Sequence, residues 1–208
     1  MDILVHELGK KFQKNWVFRN FDFHFKNGRS YAITGPNGSG KSTLLQIISG
    51  FIPATSGFVQ YKKSGGSSVP AALFYKDHTF ASPYMELTEE FTLSEIIQFH
   101  FNFKKIVDGL SLKSVAERMY LSASLHKPIK YFSSGMKQRL KLGLAFYAEV
   151  PVLLLDEPTT NLDEKGVEWY HEEVTKQQKN KLIIVSSNVK NEYKYCQDVI
   201  SLLDFKKF

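Results

Sequence analysis

Nine consecutive residues, Gly35-Pro36-Asn37-Gly38-Ser39-Gly40-Lys41-Ser42-Thr43, constrain this chain more than any other stretch. Two glycines with four residues between them, then Lys and Ser, form the pattern of a phosphate-binding loop. The glycines let the backbone curl until successive N–H groups aim at one anion, and a helix starting near Gly40 adds its positive N-terminal end. Lys41 is expected to reach the β- and γ-phosphates of a nucleoside triphosphate, and Ser42 to ligate magnesium. Average composition would match the four fixed positions by accident roughly once in a hundred chains of this length. The flanks lower that chance. Arg29 to Thr34 reads as a strand, and Leu44, Leu45, Ile47 and Ile48 give the following helix an apolar face.

With 208 residues, 43% of them hydrophobic, the chain can bury one good core with a small appended lobe, but not two large independent domains. The formal charge of +6 is spread along the sequence without a block of like charges. It argues only weakly for acidic partners, and no specific nucleic-acid binding is expected. Cys196 is the single cysteine, which excludes an internal disulfide, fits a reducing compartment and implies no thiol chemistry. The N-terminus lacks a signal-peptide pattern, and the most apolar run, Val150 to Leu155, is far too short to cross a bilayer. A role at a membrane would therefore run through a partner.

Ahead of the phosphate loop, Ile3 to Val5 and then Phe21, Phe23 and Phe25, alternating with polar residues, have the period of half-buried antiparallel strands, which Asn27-Gly28 is expected to close as a hairpin. Phe12 and Trp16 lie in the connection and could stack on a purine. A turn at Phe51 to Gly57 leads to a strand at Phe58 to Tyr61, a flexible Ser/Gly surface loop at Ser64 to Ser68, and another strand near His78 to Ser82. Thr92 to Glu95 is a capping box, and Leu93, Ile96, Ile97, His100 and Phe101 follow at helical spacing. With a second helix at about Val115 to Leu121, the region from Phe91 to Lys127 reads as a small helical lobe. Any aromatic surface it leaves exposed would be a docking groove for another protein's helix.

A helical pattern from Met136 to Tyr147 leads into Val152-Leu153-Leu154-Leu155-Asp156-Glu157-Pro158. Four apolar residues ending in two carboxylates describe a buried parallel strand that delivers acids to a site at its C-terminal edge. Asp156 is expected to hold magnesium through water and Glu157 to act as general base on the attacking water. A helix from about Glu164 to Gln178, a strand at Leu182 to Val185 and a last strand at Val199 to Leu203 complete the alternation.

This order of motifs resembles that of the nucleotide-binding subunits of ABC transporters over nearly the whole chain. The most specific piece is Phe132-Ser133-Ser134-Gly135-Met136-Lys137-Gln138-Arg139, similar to the family signature Leu-Ser-Gly-Gly-Gln-Lys-Gln-Arg and departing from it at residues 132, 134 and 136. The resemblance implies an α/β P-loop NTPase core with an N-terminal antiparallel β subdomain and an inserted helical subdomain. The core would span residues 1–90 and 133–208, and the helical subdomain about 91–132. It implies an ATPase that uses ATP and Mg²⁺ and powers transport through separately encoded transmembrane permease subunits. The chain would lie at the cytoplasmic face of the cell membrane and pair as a homodimer, or as a heterodimer with a similar subunit.

Within such a pair, Ser133, Ser134 and Gly135 would bind the γ-phosphate of the facing subunit's ATP. Asp163, in Thr159-Thr160-Asn161-Leu162-Asp163, would couple the two sites, and Phe12 would stack on adenine. Two departures stand out. The family's switch histidine falls on Ser187 in Val185-Ser186-Ser187-Asn188, and the magnesium-contacting glutamine, expected near Ser82-Pro83-Tyr84, is absent. Loss of one transition-state donor commonly costs about 10²- to 10³-fold in rate, so slow hydrolysis, or hydrolysis that depends on a partner supplying geometry, is expected. A soluble ABC-type ATPase without a transport role, or a degenerate dimerisation module, are the alternative readings.

Overall fold

The computed structural model describes residues 1–178 and 180–206. Its scaffold is a five-stranded parallel sheet made by β3 (Ser30–Thr34), β6 (His78–Ala81), β7 (Val152–Asp156), β8 (Leu182–Ser186) and β9 (Asp198–Ser201), in the order β6-β7-β8-β3-β9. Strands buried on both faces need continuous apolar runs, which Leu153 to Leu155 and Leu182 to Val185 supply. Alternate residues then face opposite layers. Val152, Leu154, Leu182 and Ile184 pack into one apolar cluster with Leu44, Leu45 and Ile48 of α1 (Lys41–Ile48). Leu153, Leu155, Ile183 and Val185 pack into the other, with Leu140 and Leu144 of α4 (Ser134–Phe146) and with Trp169 and Tyr170 of α5 (Glu164–Gln177).

A second, antiparallel sheet has the order β2-β1-β4-β5, from β1 (Asp2–Phe12), β2 (Asn15–Phe25), β4 (Ser56–Lys62) and β5 (Ser68–Val69). Its hairpin differs from the expected one. β1 turns into β2 across Gln13 and Lys14, where Phe12 pairs with Asn15 and Gln13 takes φ 52°. Asn27-Gly28 instead connects β2 to β3, which belongs to the other sheet. Both sites have turn chemistry, and only the long-range pairing decides which one folds the chain back on itself. The strand after α1 joins this antiparallel sheet, so the β subdomain is assembled from residues on both sides of the phosphate loop.

The helical lobe consists of α2 (Leu93–Phe103) and α3 (Leu112–Arg118), each started by a capping box, at Thr92 and at Ser111. Helix α3 starts before the expected Val115 because Ser111 caps it, and Tyr120 ends the segment in the left-handed region at φ 58°. Leu93, Ile96, Ile97 and Val115 share one apolar cluster with α4 and α5. The lobe is therefore packed onto the layer that carries the signature segment. Thr92→Ala, which removes the acceptor for the Glu95 N–H, is expected to cost about 1 kcal/mol, read as a fall of about 2–4 °C in the thermal midpoint.

A short helix, α6 (Lys190–Tyr193), follows β8. The last strand ends earlier than expected, at Ser201, and Leu202 to Phe205 form a 3₁₀ turn. That turn places Leu202 fully buried beneath the phosphate loop and Phe205 against Phe21, with ring centroids 4.6 Å apart. No helix among the described residues is long and apolar enough to cross a membrane. Cys196 is partly covered, and burial pushes its thiol up to about 12.

Candidate active site

Parallel pairing brings the C-terminal ends of β3, β6, β7 and β8 to one edge of the sheet. Asp156 pairs with Ser186 and Ile33 with Ser186, and Ser82 and Gly35 follow β6 and β3 directly. The phosphate loop leaves β3 and turns into α1 through Gly40, at φ 101°. A Cβ there would stand 2.3 Å from Val17 Cγ1, so the close approach of this turn to the β subdomain requires glycine. The first N–H groups of α1 have no partner within the helix, and they open on a cavity of about 380 Å³. Lys41, Ser42, Thr43, Tyr84 and Glu157 line it.

Lys41 is 4% exposed, and its ammonium donates to the carbonyls of Gly35 at 2.9 Å and Pro36 at 3.3 Å. No carboxylate among the described residues pairs with it. Ser39 Oγ is buried beside it without a hydrogen-bond partner. A buried cation resting on carbonyls, an unsatisfied hydroxyl and a row of free helix N–H groups fit an oligophosphate.

Asp156 is fully buried and accepts three hydroxyls: Ser42 at 2.9 Å and Ser186 at 2.7 Å on Oδ1, and Ser82 at 3.2 Å on Oδ2. The carboxylate thus touches the phosphate loop, the residue that follows β6, and β8 at once. Glu157 follows with φ 41°, in a region sparsely populated by non-glycine residues, and its N–H donates to Ser186 O at 2.9 Å. This turn out of the strand swings the second carboxylate into the cavity while Asp156 stays in the sheet.

The remaining expected site residues divide into three groups. Ser133 caps α4, accepting from Met136 N–H at 3.2 Å, and both Ser133 and Ser134 are exposed outside their own chain's cavity, with Gly135 beside Asn161 O. Asp163 caps α5, accepting from Gly166 N–H at 2.8 Å, and pairs with Arg139 of α4 at 2.9 Å. Gln138 of α4 donates to Pro158 O at 2.8 Å, tying the signature helix to the turn after Glu157. Phe12 sits half-exposed at the hairpin end beneath the Lys10 ammonium, 4.9 Å from its ring centroid, and Val17 rather than Phe12 lines the cavity.

Ser187 is a correction. It is fully buried, and its hydroxyl donates to Glu192 instead of facing the phosphate loop. The exposed neighbour Asn188 reaches that loop, donating from Nδ2 to Asn37 Oδ1 at 3.0 Å. Ser186 points at Asp156, and the next residue of an extended run faces the opposite way. The run Ser186-Ser187-Asn188 is polar throughout, so its sequence does not tell which member faces the loop.

Tyr84 is a further residue that sequence reasoning passed over. It lines the cavity, and the charge of Glu157, ahead of burial and of Asp156, raises its phenol above the ordinary value. Its corner is pinned by Ser82 Oγ, which accepts the Tyr84 N–H at 3.3 Å, and by Lys141 of α4, which donates to Pro83 O at 2.6 Å. The signal available in the sequence was position alone, at the end of a strand that borders the acidic one.

A family model described as ABC transporter matches residues 18–160, which contain the phosphate loop, the signature segment and both carboxylates. The chain belongs to the ABC transporter family. It is 33% identical over 203 residues to the ABC transporter ATP-binding protein YybJ of Bacillus subtilis, covering 97% of this chain and 89% of that protein. It is 26% identical over 209 residues to the lantibiotic transport ATP-binding protein SrtF of Streptococcus pyogenes, covering 96% and 85%. In fold it is similar to a dimeric bacterial ABC transporter cassette, with a TM-score of 0.82 at 23% identity over 96% of this chain and 93% of that one.

This chain is thus an ABC transporter ATP-binding subunit on the α/β P-loop fold expected from its sequence. It keeps the ABC motif order while placing Asn188 at the phosphate loop and Tyr84 at the cavity mouth.

Proposed function

We propose that two such subunits close head to tail over two ATP molecules and that hydrolysis reopens them, moving transmembrane permease subunits docked on their outer face. The observation that carries this reading is the half-site. Lys41, Ser42 and Glu157 line one cavity, with Asp156 behind it on the Ser42 hydroxyl, while Ser133 and Ser134 sit exposed, with Gly135 next to them, at a helix N-terminus away from it. A binding element turned away from its own site is explained by a second subunit, identical or similar, that brings its own cavity to meet it.

Within the half-site, the first N–H groups of α1 and Lys41 hold the phosphates, and Ser42 and, through water, Asp156 would hold Mg²⁺. Bound there, the ion would neutralise charge on the β- and γ-phosphates. No cluster of three metal-ligating side chains is present among the described residues, which suits an ion that takes most of its ligands from phosphate and water. Glu157 takes a proton from the attacking water, Asn188 is tied to Asn37 of the phosphate loop, from where it would donate to the transferred group, and Asp163 sits at the exposed junction of α5 with the signature helix.

The outer face supports a membrane partner on the inner, cytoplasmic side of the bilayer. A cavity of about 630 Å³ between α1 and the segment after β6 is lined by Phe51, Tyr75, Phe80 and Met85, and Phe51 is 79% exposed. Phe99 and Phe103 of α2 stack edge to face, 5.2 Å apart, and are exposed. Apolar grooves of this kind take an amphipathic helix.

Size exclusion with ATP and Mg²⁺ tests the pairing. The wild type is expected to shift to twice its mass. Lys41→Ala, which removes a charged phosphate contact, is expected to weaken ATP binding about 10- to 100-fold and stay monomeric at the same nucleotide concentration. A monomer that turns over ATP at an undiminished rate at high dilution would exclude the paired mechanism.

A further inference from the structure

Glu192 is 2% exposed and lies in α6, the four-residue helix after β8. Its carboxylate is committed on both sides. Oε1 accepts the Thr159 N–H at 2.8 Å and the Thr159 hydroxyl at 2.5 Å, and Oε2 accepts the Ser187 hydroxyl. The Ser187 oxygen in turn accepts the Val189 N–H at 2.9 Å, and the Glu192 carbonyl accepts the Tyr170 hydroxyl of α5 at 2.7 Å. A buried carboxylate is costly to place, and all three of these donors come from just two segments of chain.

Those two segments frame the chemistry. Thr159 is two residues beyond Glu157 and four before Asp163, in a turn closed by Thr160 N–H to Glu157 O at 3.2 Å. Ser187 precedes Asn188, which reaches Asn37 of the phosphate loop. We propose that Glu192 is a positioning residue that clasps the turn carrying Glu157 to the segment carrying Asn188, so that the general base and the phosphate-loop contact move as one unit. The Ser187 hydroxyl serves this clasp, not the nucleotide. The kinetic part of the proposal rests on Glu157 being the base; the clasp itself does not.

Two readouts test it in the full chain. The first uses no nucleotide: hydrogen exchange at the Thr159 amide is expected to speed up on the order of tenfold in Glu192→Ala, with the amides of β7 unchanged. The second is steady-state hydrolysis. Glu192→Ala is expected to lower kcat about 10²-fold with KM for ATP held within about twofold, because misplacing a catalytic group by about 1 Å costs that much in rate without touching phosphate binding.

Glu192→Gln keeps an acceptor for the Thr159 amide and is expected to recover most of the loss, whereas Glu192→Leu, which fills similar space without an acceptor, is not, a difference that a mere packing role would not show. If Glu192→Ala does not fold, Thr159→Val combined with Ser187→Ala removes two donors from the facing side and is expected to lower kcat about tenfold. An unchanged kcat in either, or unchanged Thr159 exchange in Glu192→Ala, overturns the proposal. A Glu157→Gln chain that still turns over would remove the base reading while leaving the exchange result to decide the clasp.

Discussion

Glu157→Gln is expected to lower kcat for ATP hydrolysis by about 10²- to 10⁴-fold while leaving ATP binding and ATP-driven pairing intact. Glutamine preserves the shape of the side chain but cannot take the proton that the attacking water must lose. The backbone geometry at this position favours a clean result. Residue 157 is held at φ 41° by its N–H bond to Ser186 O, a contact that the substitution does not touch. Asp156 keeps its three hydroxyl donors, and Lys41 keeps its place over the loop. Phosphate release gives the rate, and size exclusion gives the fraction paired. Retained turnover within about threefold of wild type would show that another group accepts the proton.

Gly57→Ala is expected to destabilise the fold by about 3 kcal/mol, which for a chain of this size lowers the thermal midpoint by about 6–12 °C. Gly57 is the second residue of β4, at φ 70°, and a Cβ there would stand 2.2 Å from His6 O and 2.5 Å from Glu7 O. Those carbonyls sit where β1 departs from regular pairing. His6 faces Phe58 and Gly9 faces Ser56, and Glu7 between them takes φ 43°. The irregularity in one strand and the glycine in the other are one feature, and backbone atoms cannot move aside as a side chain would. The site lies in the antiparallel sheet, away from the phosphate cavity, so the folded fraction of the variant should keep its affinity for ATP. Calorimetry reads the first quantity and nucleotide titration the second. A midpoint within about 2 °C of wild type would mean that the two strands can shift together to admit the methyl group.

The phosphate loop, the acidic strand and the capped helices were legible because each rests on interactions between near neighbours in the chain. Glycine at Gly35 and Gly40, the apolar run ending in Asp156, and the capping box at Thr92 and Glu95 carry their geometry within a few residues. The hairpin was not legible, since Asn27-Gly28 and Gln13-Lys14 differ in which strands they bring together and not in whether they can turn. The same limit explains Ser187.

By itself, then, the sequence determined the phosphate loop, the carboxylates, the order of strands and helices, and membership of the ABC transporter family. Tertiary structure decided which neighbour of a polar run faces which partner. It buried Ser187 against Glu192, turned Asn188 to Asn37 and brought Tyr84 to the mouth beside Glu157. A one-residue step in an extended chain reverses the direction of the side chain, and only the packing of distant segments selects between the two directions.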